Sequence, residues 1–163
     1  MSSMDLAKLP GYGGVCSQAE SQRIGLSVAE VTRRLRRIAY VKTRLAFLAV
    51  AHFNSTPEWE VKSALALHAW LDIQHATTLR DRLLELRENQ SRLDEVPSPT
   101  LEGLLEEALR AQNPAELVTA IHGVIRPALL ESMERYTGET NPLADQPSCR
   151  ALKLIRIEES ETT

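Results

Sequence analysis

Cysteine is scarce in this sequence and forms no recognisable pattern. The two cysteines among 163 residues, Cys16 and Cys149, lie far apart and belong to no CxxC or CxxH motif. Their placement excludes a disulfide framework and a zinc module of the usual spacing. Because reduced thiols are typical of cytosolic proteins, we predict a cytoplasmic location.

Long hydrophobic runs are also missing. No apolar stretch follows a basic leader near Met1, so the sequence predicts no secretory signal. The best candidate run, residues 45–50, is far shorter than the roughly 20 residues that cross a bilayer, and we expect no membrane partner. Strand-like alternation and clusters of β-branched residues are absent as well, which indicates an all-α fold.

Charge of one sign does not dominate the chain. The net charge is −3 and the isoelectric point is about 5.8, so no overall field attracts nucleic acid. Residues 33–37 contain four arginines, but aromatic residues make up only 4% of the chain and Tyr40 alone lies near them. We predict no nucleic-acid partner and interpret the stretch as a solvated helix face or as an ion-pair partner of the acidic residues 158–161.

Helix-start signals divide the chain into segments. A Ser, Thr or Asn followed by a Pro or a capping Glu occurs at Ser27, Thr56, Ser98 and Asn113. Together with the apolar periodicity, these signals predict a short connecting helix from Pro99 and four main helices. The main helices are predicted over residues 27–53, 57–89, 114–136 and 147–159.

The order of these segments favours one helical domain. Residues 1–25, interrupted by Pro10 and by glycines, are predicted to form a flexible tail. Residues 26–160 are predicted to form an up-and-down bundle, because short loops join the four main helices. Pro127 is expected to kink or split the third main helix.

One face of the second main helix has polar residues where a core-facing helix is usually apolar. Residues at steps of four and three form a stripe along this face, which is apolar at both ends but contains His, Asp and His in the middle. The stripe consists of Val61, Leu65, His68, Asp72, His75, Leu79, Arg82 and Leu86. Burying a carboxylate and two imidazoles without partners costs several kcal/mol, roughly, so some group must compensate them.

Two kinds of compensation are open. Asp72 and His75 lie one turn apart, as the two ligands do in the Glu-x-x-His motif of di-iron bundles, and His68 lies where it can add a third nitrogen. Alternatively, Asp72 pairs with the histidines and with an arginine from another helix. That arrangement is a structural polar layer, which needs no metal.

Two segments resemble an uncharacterised family of the ferritin-like superfamily. The first is His-Ala-Trp-Leu-Asp-Ile-Gln-His-Ala at residues 68–76, and the second is Asn-Pro-Leu-Ala-Asp-Gln-Pro-Ser-Cys-Arg at residues 141–150. The resemblance implies a ferritin-like four-helix bundle, in some members with two metal ions between the helices. The first helix here offers no carboxylate after Glu30, and no histidine follows the later glutamates at the required step. We therefore interpret the chain as a shortened or degenerate member.

These observations lead to two hypotheses. In the first, a ferritin-like metalloprotein holds iron or manganese through a partial site that consists of His68, Asp72, His75, Glu131, Glu134 and Glu158. In the second, the chain is a non-catalytic helical interaction module with a structural polar layer. Under either hypothesis a homodimer is expected, because a last helix ending near Glu159 leaves part of the core to be covered. The sequence names no substrate and leaves catalysis open.

Overall fold

The computed structural model describes residues 11–162, and regular structure within this range is helical without any strand. The predicted all-α class is confirmed for these residues. The helices are α1 (Gln18–Ser21), α2 (Val28–Phe53), α3 (Trp59–Glu85), α4 (Pro99–Leu109), α5 (Pro114–Val118), α6 (Arg126–Glu139) and α7 (Gln146–Thr162). Short 3-10 turns lie at Tyr12–Gly14 and Gln90–Arg92, and a π-helical segment, Thr119–Ile125, joins α5 to α6. Over the same range, none of the helices combines the length and apolar character that a membrane span requires.

Helix α2 confirms the predicted boundaries but only half of the predicted capping box. The Ser27 hydroxyl accepts a hydrogen bond from the Glu30 backbone N–H at 3.3 Å, which satisfies one orphan donor of the first turn. The Glu30 carboxylate does not complete the box. It accepts instead from the Arg33 guanidinium at 2.6 and 2.8 Å and from Arg34 at 2.5 Å.

Helix α3 is shorter at both ends than predicted. The Thr56 hydroxyl donates to the His52 carbonyl at the end of α2, at 2.8 Å, and Thr56 is not the N-cap of α3. Glu58 is the N-cap residue. At the other end Arg87 has a φ of 64°, and its N–H bonds to the Leu84 carbonyl. This left-handed residue completes a Schellman motif, which stops the helix before the predicted end.

The segment from Pro114 to Glu139 shows how the chain accommodates Pro127. Proline has no N–H for the carbonyl four residues earlier, and its ring crowds that carbonyl. The chain responds with a π-helical turn, in which the Arg126 N–H bonds to the carbonyl of Ile121, five residues back. Pro127 therefore changes the helix type locally, and it does not split the helix, since residues 114–139 are helical throughout. The helix also continues past Tyr136 through Gly138 to Glu139, beyond the predicted stop.

Part of the predicted tail is attached to the helices. Residues 11–25 contain α1, whose first turn has a complete capping box between Ser17 and Glu20. The Arg23 guanidinium donates to the Gly138 carbonyl at 2.8 Å, and the Asn141 side-chain amide donates to the Ser21 carbonyl at 2.9 Å. Residues 1–10 of the predicted tail lie outside the described residues.

Four helices enclose the core. Helix α2 packs along α3, α3 against α7, α7 against α6, and α6 back against α2, while α4 lies on α2. Buried apolar residues from these helices form one cluster, which includes Leu35, Leu45, Leu79, Leu83, Leu105, Met133 and Leu152. Because each helix presents its apolar stripe to this cluster, any polar residue within a stripe is carried into the centre.

The basic stretch of α2 pairs with acids outside the tail. Arg34 binds Glu139 at the end of α6 at 2.7 Å, and Arg36 binds Glu95 at 3.1 Å. The predicted pairing of this stretch with residues 158–161 is therefore not what the structure has. These ion pairs lie near the surface, where each contributes about 0–1 kcal/mol.

Candidate functional site

Four charged side chains meet at the centre of the helices. Lys42 comes from α2, Asp72 from α3, Arg126 from α6 and Glu159 from α7, and no side chain among them is more than 3% exposed. We call these four residues the ion-pair centre. Two cations and two carboxylates make its net formal charge zero.

Each cation of the ion-pair centre bridges both carboxylates. The Lys42 ammonium donates to Asp72 Oδ1 at 2.9 Å and to Glu159 Oε1. The Arg126 guanidinium donates to both oxygens of Glu159, at 2.7 and 2.6 Å, and to Asp72 Oδ2 at 2.8 Å. All four carboxylate oxygens accept at least one charge-assisted hydrogen bond, the strong kind in a dry interior.

The neighbouring cations keep Glu159 ionised. Burial alone would raise the pKa of its carboxyl group, but the charges of Lys42 and Arg126 outweigh burial and lower the pKa from 4.5 to about 2. Removing either cation would therefore leave a buried carboxylate with insufficient compensation.

Sequence reasoning missed Lys42 and Arg126, although a signal was present. Leu35, Ile38, Lys42 and Leu45 follow one another at steps of three, four and three, so Lys42 occupies a core position of the α2 stripe. Arg126 occupies the equivalent position in α6, three residues before buried Leu129. Each of the four helices has one charged residue at a core position of its stripe, and this pattern in the sequence indicates a buried ion-pair network.

His75 lies beside the ion-pair centre and bonds outward. Its Nε2 atom is 2.6 Å from Glu158 Oε2, so we assign the ring proton to Nε2 as the donor. The buried Nδ1 atom has no hydrogen-bond partner and is 3.7 Å from Glu159 Oε1. Burial, followed by the charge of Lys42, lowers the pKa of His75 below its usual 6.5.

His68 lies one helical turn before Asp72 and faces a second histidine. The rings of His68 and His122 meet edge to face, with centroids 5.2 Å apart. His68 Nδ1 is buried without a hydrogen-bond partner. Burial is the first cause that lowers the pKa of both rings, and the charge of Arg126 is the second.

The remaining residues of the predicted metal site are not gathered at the centre. Glu131 and Glu134 lie on the outside of α6, where their side chains are 69% and 59% exposed and pair with Arg135 and Arg156. Among the described residues, Glu158 contacts the site through His75, and its side chain is half exposed. The carboxylate that α7 supplies to the interior is Glu159, one position further on.

Three side chains have donor atoms close enough together for one metal ion. The potential ligand atoms of Asp72, His75 and Glu159 all lie within 4.8 Å of one another, and all three residues are buried. A carboxylate pair with one imidazole suits iron or manganese. The same carboxylates are already bound by Lys42 and Arg126, so an ion would compete with both cations for their oxygens.

A second buried polar cluster fixes the loop between α6 and α7. The Asp145 carboxylate accepts from the Tyr136 hydroxyl, from Thr140 Oγ1 at 3.2 Å, from Ser148 Oγ at 2.6 Å and from the Arg82 guanidinium at 3.4 Å. Burial, followed by the hydrogen bond to Asp145, raises the pKa of Tyr136 well above its usual value. Asp145 and Ser148 belong to the segment 141–150, and their contacts with Arg82 tie this segment to α3.

Comparisons of the chain with protein families, with curated proteins and with solved structures give no match. The chemistry of the ion-pair centre must therefore be argued from its own geometry.

The three lowered histidine pKa values predict a pH dependence of stability. The unfolded chain has histidine pKa values near 6.5, and the folded values of His68, His75 and His122 are lower. Below about pH 6.5 the unfolded state thus binds more protons, and we expect the free energy of unfolding to decrease as the pH falls, by at most about 1.4 kcal/mol per pH unit for each histidine. Urea unfolding at pH values from about 8 to about 5, at constant ionic strength, measures this decrease.

A variant of His75 separates the contribution of this histidine to the pH dependence from the contributions of the other two. His75→Gln removes one titrating ring, so the loss of stability between about pH 6.5 and about pH 5 should be shallower in that variant. A free energy of unfolding that stays constant over this range would contradict the prediction. The Glu159 contribution is lost only at lower pH, between 4.5 and about 2.

Proposed function

We propose that this protein is a non-catalytic helical interaction module, in which a buried ion-pair network occupies the position that a metal centre has in carboxylate bundles. The observation that carries the proposal is the double bridging of Asp72 and Glu159 by Lys42 and Arg126. These contacts satisfy the carboxylates without a metal ion.

The charge balance of the centre supports the same proposal. In di-iron carboxylate bundles, every one of the four helices supplies a carboxylate to the metal ions. Here two of the four helices supply cations at the corresponding core positions, Lys42 and Arg126. A divalent ion placed among these side chains would raise the local charge from zero to +2, which is unfavourable in a buried site.

A ferritin-like arrangement of the helices is part of the proposal. It is supported by the closed ring of contacts from α2 through α3, α7 and α6 back to α2, and by the resemblance of residues 68–76 and 141–150. Under this arrangement the chain keeps a bundle fold while the ion-pair centre takes over the role of fixing how the helices register.

Iron or manganese binding is the second candidate, and one observation favours it. Asp72, His75 and Glu159 bring their potential ligand atoms within 4.8 Å, and His75 Nδ1 has no hydrogen-bond partner. For an ion to bind there, the Lys42 ammonium would have to leave the carboxylate oxygens that it now contacts. An oxidoreductase activity belongs to this candidate, because oxygen chemistry would need the ion.

The metal content of untagged protein decides between the candidates. We expect mass spectrometry to find far less than one iron or manganese ion per chain, both as purified and after anaerobic incubation with ferrous iron. We also expect the melting temperature to be unchanged by a chelator, because nothing that binds the folded state is removed.

The contrary outcome is equally clear. Near-stoichiometric metal that disappears in His75→Ala, but is kept in the matched surface variant Glu131→Gln, would favour the second candidate. Circular dichroism of both variants shows whether each keeps its helical content, so that a loss of metal is not mistaken for a loss of folding.

A further inference from the structure

A groove runs along the outside of the bundle between α3 and α7. Its volume is about 480 Å³, and residues from Leu67 to Thr78 of α3 and from Arg150 to Glu161 of α7 line its walls. The two helices run antiparallel, because His75 contacts Glu158 whereas Arg82, further along α3, contacts Ser148. One end of the groove is therefore bordered by Glu161 and the other by Arg150.

The walls of the groove expose large apolar side chains. Trp70 is 58% exposed, Leu67 48% and Leu154 46%. Trp70 contributes the largest apolar surface of the three, and tryptophan is among the residues that most often dominate the energy of protein–protein contacts. Large apolar side chains exposed together beside charged groups are typical of a docking surface.

The charges at the two ends of the groove have opposite signs. Arg150 and Glu161 are exposed, and neither forms an ion pair with another residue in the described range. They are separated by about 16 Å along the axis of α7. Leu154 lies between them, so a two-fold axis passing near Leu154 and perpendicular to α7 would exchange the basic end with the acidic end.

We infer that a second copy of this chain docks on this groove, with its own α7 antiparallel to the first. In this arrangement Arg150 of each protomer faces Glu161 of the other, and the two Trp70 side chains are covered. Charge complementarity selects this occupant, because a two-fold rotation brings the basic end of each groove against the acidic end of the other. The inference rests on the proposed role as an interaction module, but its test measures mass rather than metal, so either can fail alone.

Size-exclusion chromatography with light scattering, on untagged protein from about 1 to about 100 µM, is the first test. We expect a species of twice the 18.2 kDa chain mass that dissociates on dilution. Trp70→Ala should raise the dissociation constant about 30-fold, as truncation of a large aromatic anchor in an interface does. Phe47→Ala, which truncates an exposed aromatic residue of α2 outside the groove, should leave it unchanged.

Charge reversal tests the orientation of the two copies. Arg150→Glu and Glu161→Arg should each shift the protein towards monomer, because like charges then face each other across the interface. The double variant Arg150→Glu/Glu161→Arg restores both pairs and should recover the dimer. Circular dichroism confirms that each variant is folded.

Two results would overturn the inference. One is a folded monomer at the highest concentration, which would leave the groove to a different partner. The other is a dimer that is indifferent to Trp70→Ala and to both charge reversals, which would place the interface elsewhere.

Discussion

Replacing Lys42 by methionine is expected to lower the free energy of unfolding by about 3–5 kcal/mol, the usual cost of removing one partner from a buried ion pair. Methionine has nearly the same length as lysine, so the variant leaves little cavity and mainly removes the charge. Of the two cations of the ion-pair centre, Asp72 and Glu159 then keep Arg126, and the ion-pair centre carries a net negative charge. Urea unfolding at about pH 7 measures the change.

Two controls identify the source of this loss. Lys153→Met removes an exposed lysine of α7 and should change the free energy of unfolding by less than about 0.5 kcal/mol. Lys42→Met combined with Glu159→Gln restores charge neutrality, so the double variant should lose clearly less than the sum of the two single losses. Strictly additive losses would show that the four side chains do not act as a unit.

Replacing Asp145 by alanine is expected to lower the free energy of unfolding by about 2–4 kcal/mol. The carboxylate accepts hydrogen bonds from Tyr136, Thr140, Ser148 and Arg82, and the first three of these are almost completely buried. Alanine leaves their donors without a partner in a region that water reaches poorly. Thermal or urea unfolding measures the loss.

The matched substitutions make this prediction specific. Asp145→Asn keeps one oxygen acceptor at the same place and should cost less than Asp145→Ala. Asp94→Ala removes a carboxylate that is 77% exposed and pairs with Arg80 at the surface, so its effect should stay below about 1 kcal/mol. Equal losses for Asp145→Ala and Asp94→Ala would contradict the view that the loop depends on the buried acceptor.

Both predictions concern how the helices are held in register. The ion-pair centre joins α2, α3, α6 and α7 at one level, and the Asp145 cluster joins α3 to the loop between α6 and α7. Hydrophobic contacts alone tolerate sliding of one helix along another, whereas a polar group must meet its partner or remain unsatisfied. We therefore expect these two clusters to specify the packing more than they increase its stability.

The helix boundaries show where local signals suffice. Ser27, Ser98 and Asn113 each cap the helix that the sequence predicts, because an N-cap depends only on residues three positions away. Thr56 carries the same signal, but its hydroxyl bonds to the preceding helix. Arg87 ends α3 in a left-handed conformation, which an arginine in the sequence does not predict. In these two places neighbouring structure overrides the local preference.

In the candidate site, too, the sequence predicts some features, and others depend on the tertiary structure. The stripe through His68, Asp72 and His75 correctly places these three side chains in the interior, since periodicity fixes which residues share a face. Whether they hold a metal stays a prediction. The residue type alone favours Glu131 and Glu134 as ligands, but both lie outside, because the core stripe of α6 passes through Arg126, Leu129 and Met133 instead.

The sequence by itself determined the helical class, most helix starts, a local disturbance of the helix at Pro127 and the burial of a polar group in the second main helix. These features follow from periodicity and from contacts within one or two turns. Only the tertiary structure decided that Asp72 meets Lys42 and Arg126 rather than other carboxylates, and that Glu159 is the acid of α7 at the centre. The physical reason is that the apolar stripe of a helix shows which residues face the core but not how far each helix is shifted along its neighbours. A shift of one helix by one turn would give every residue of the ion-pair centre different partners.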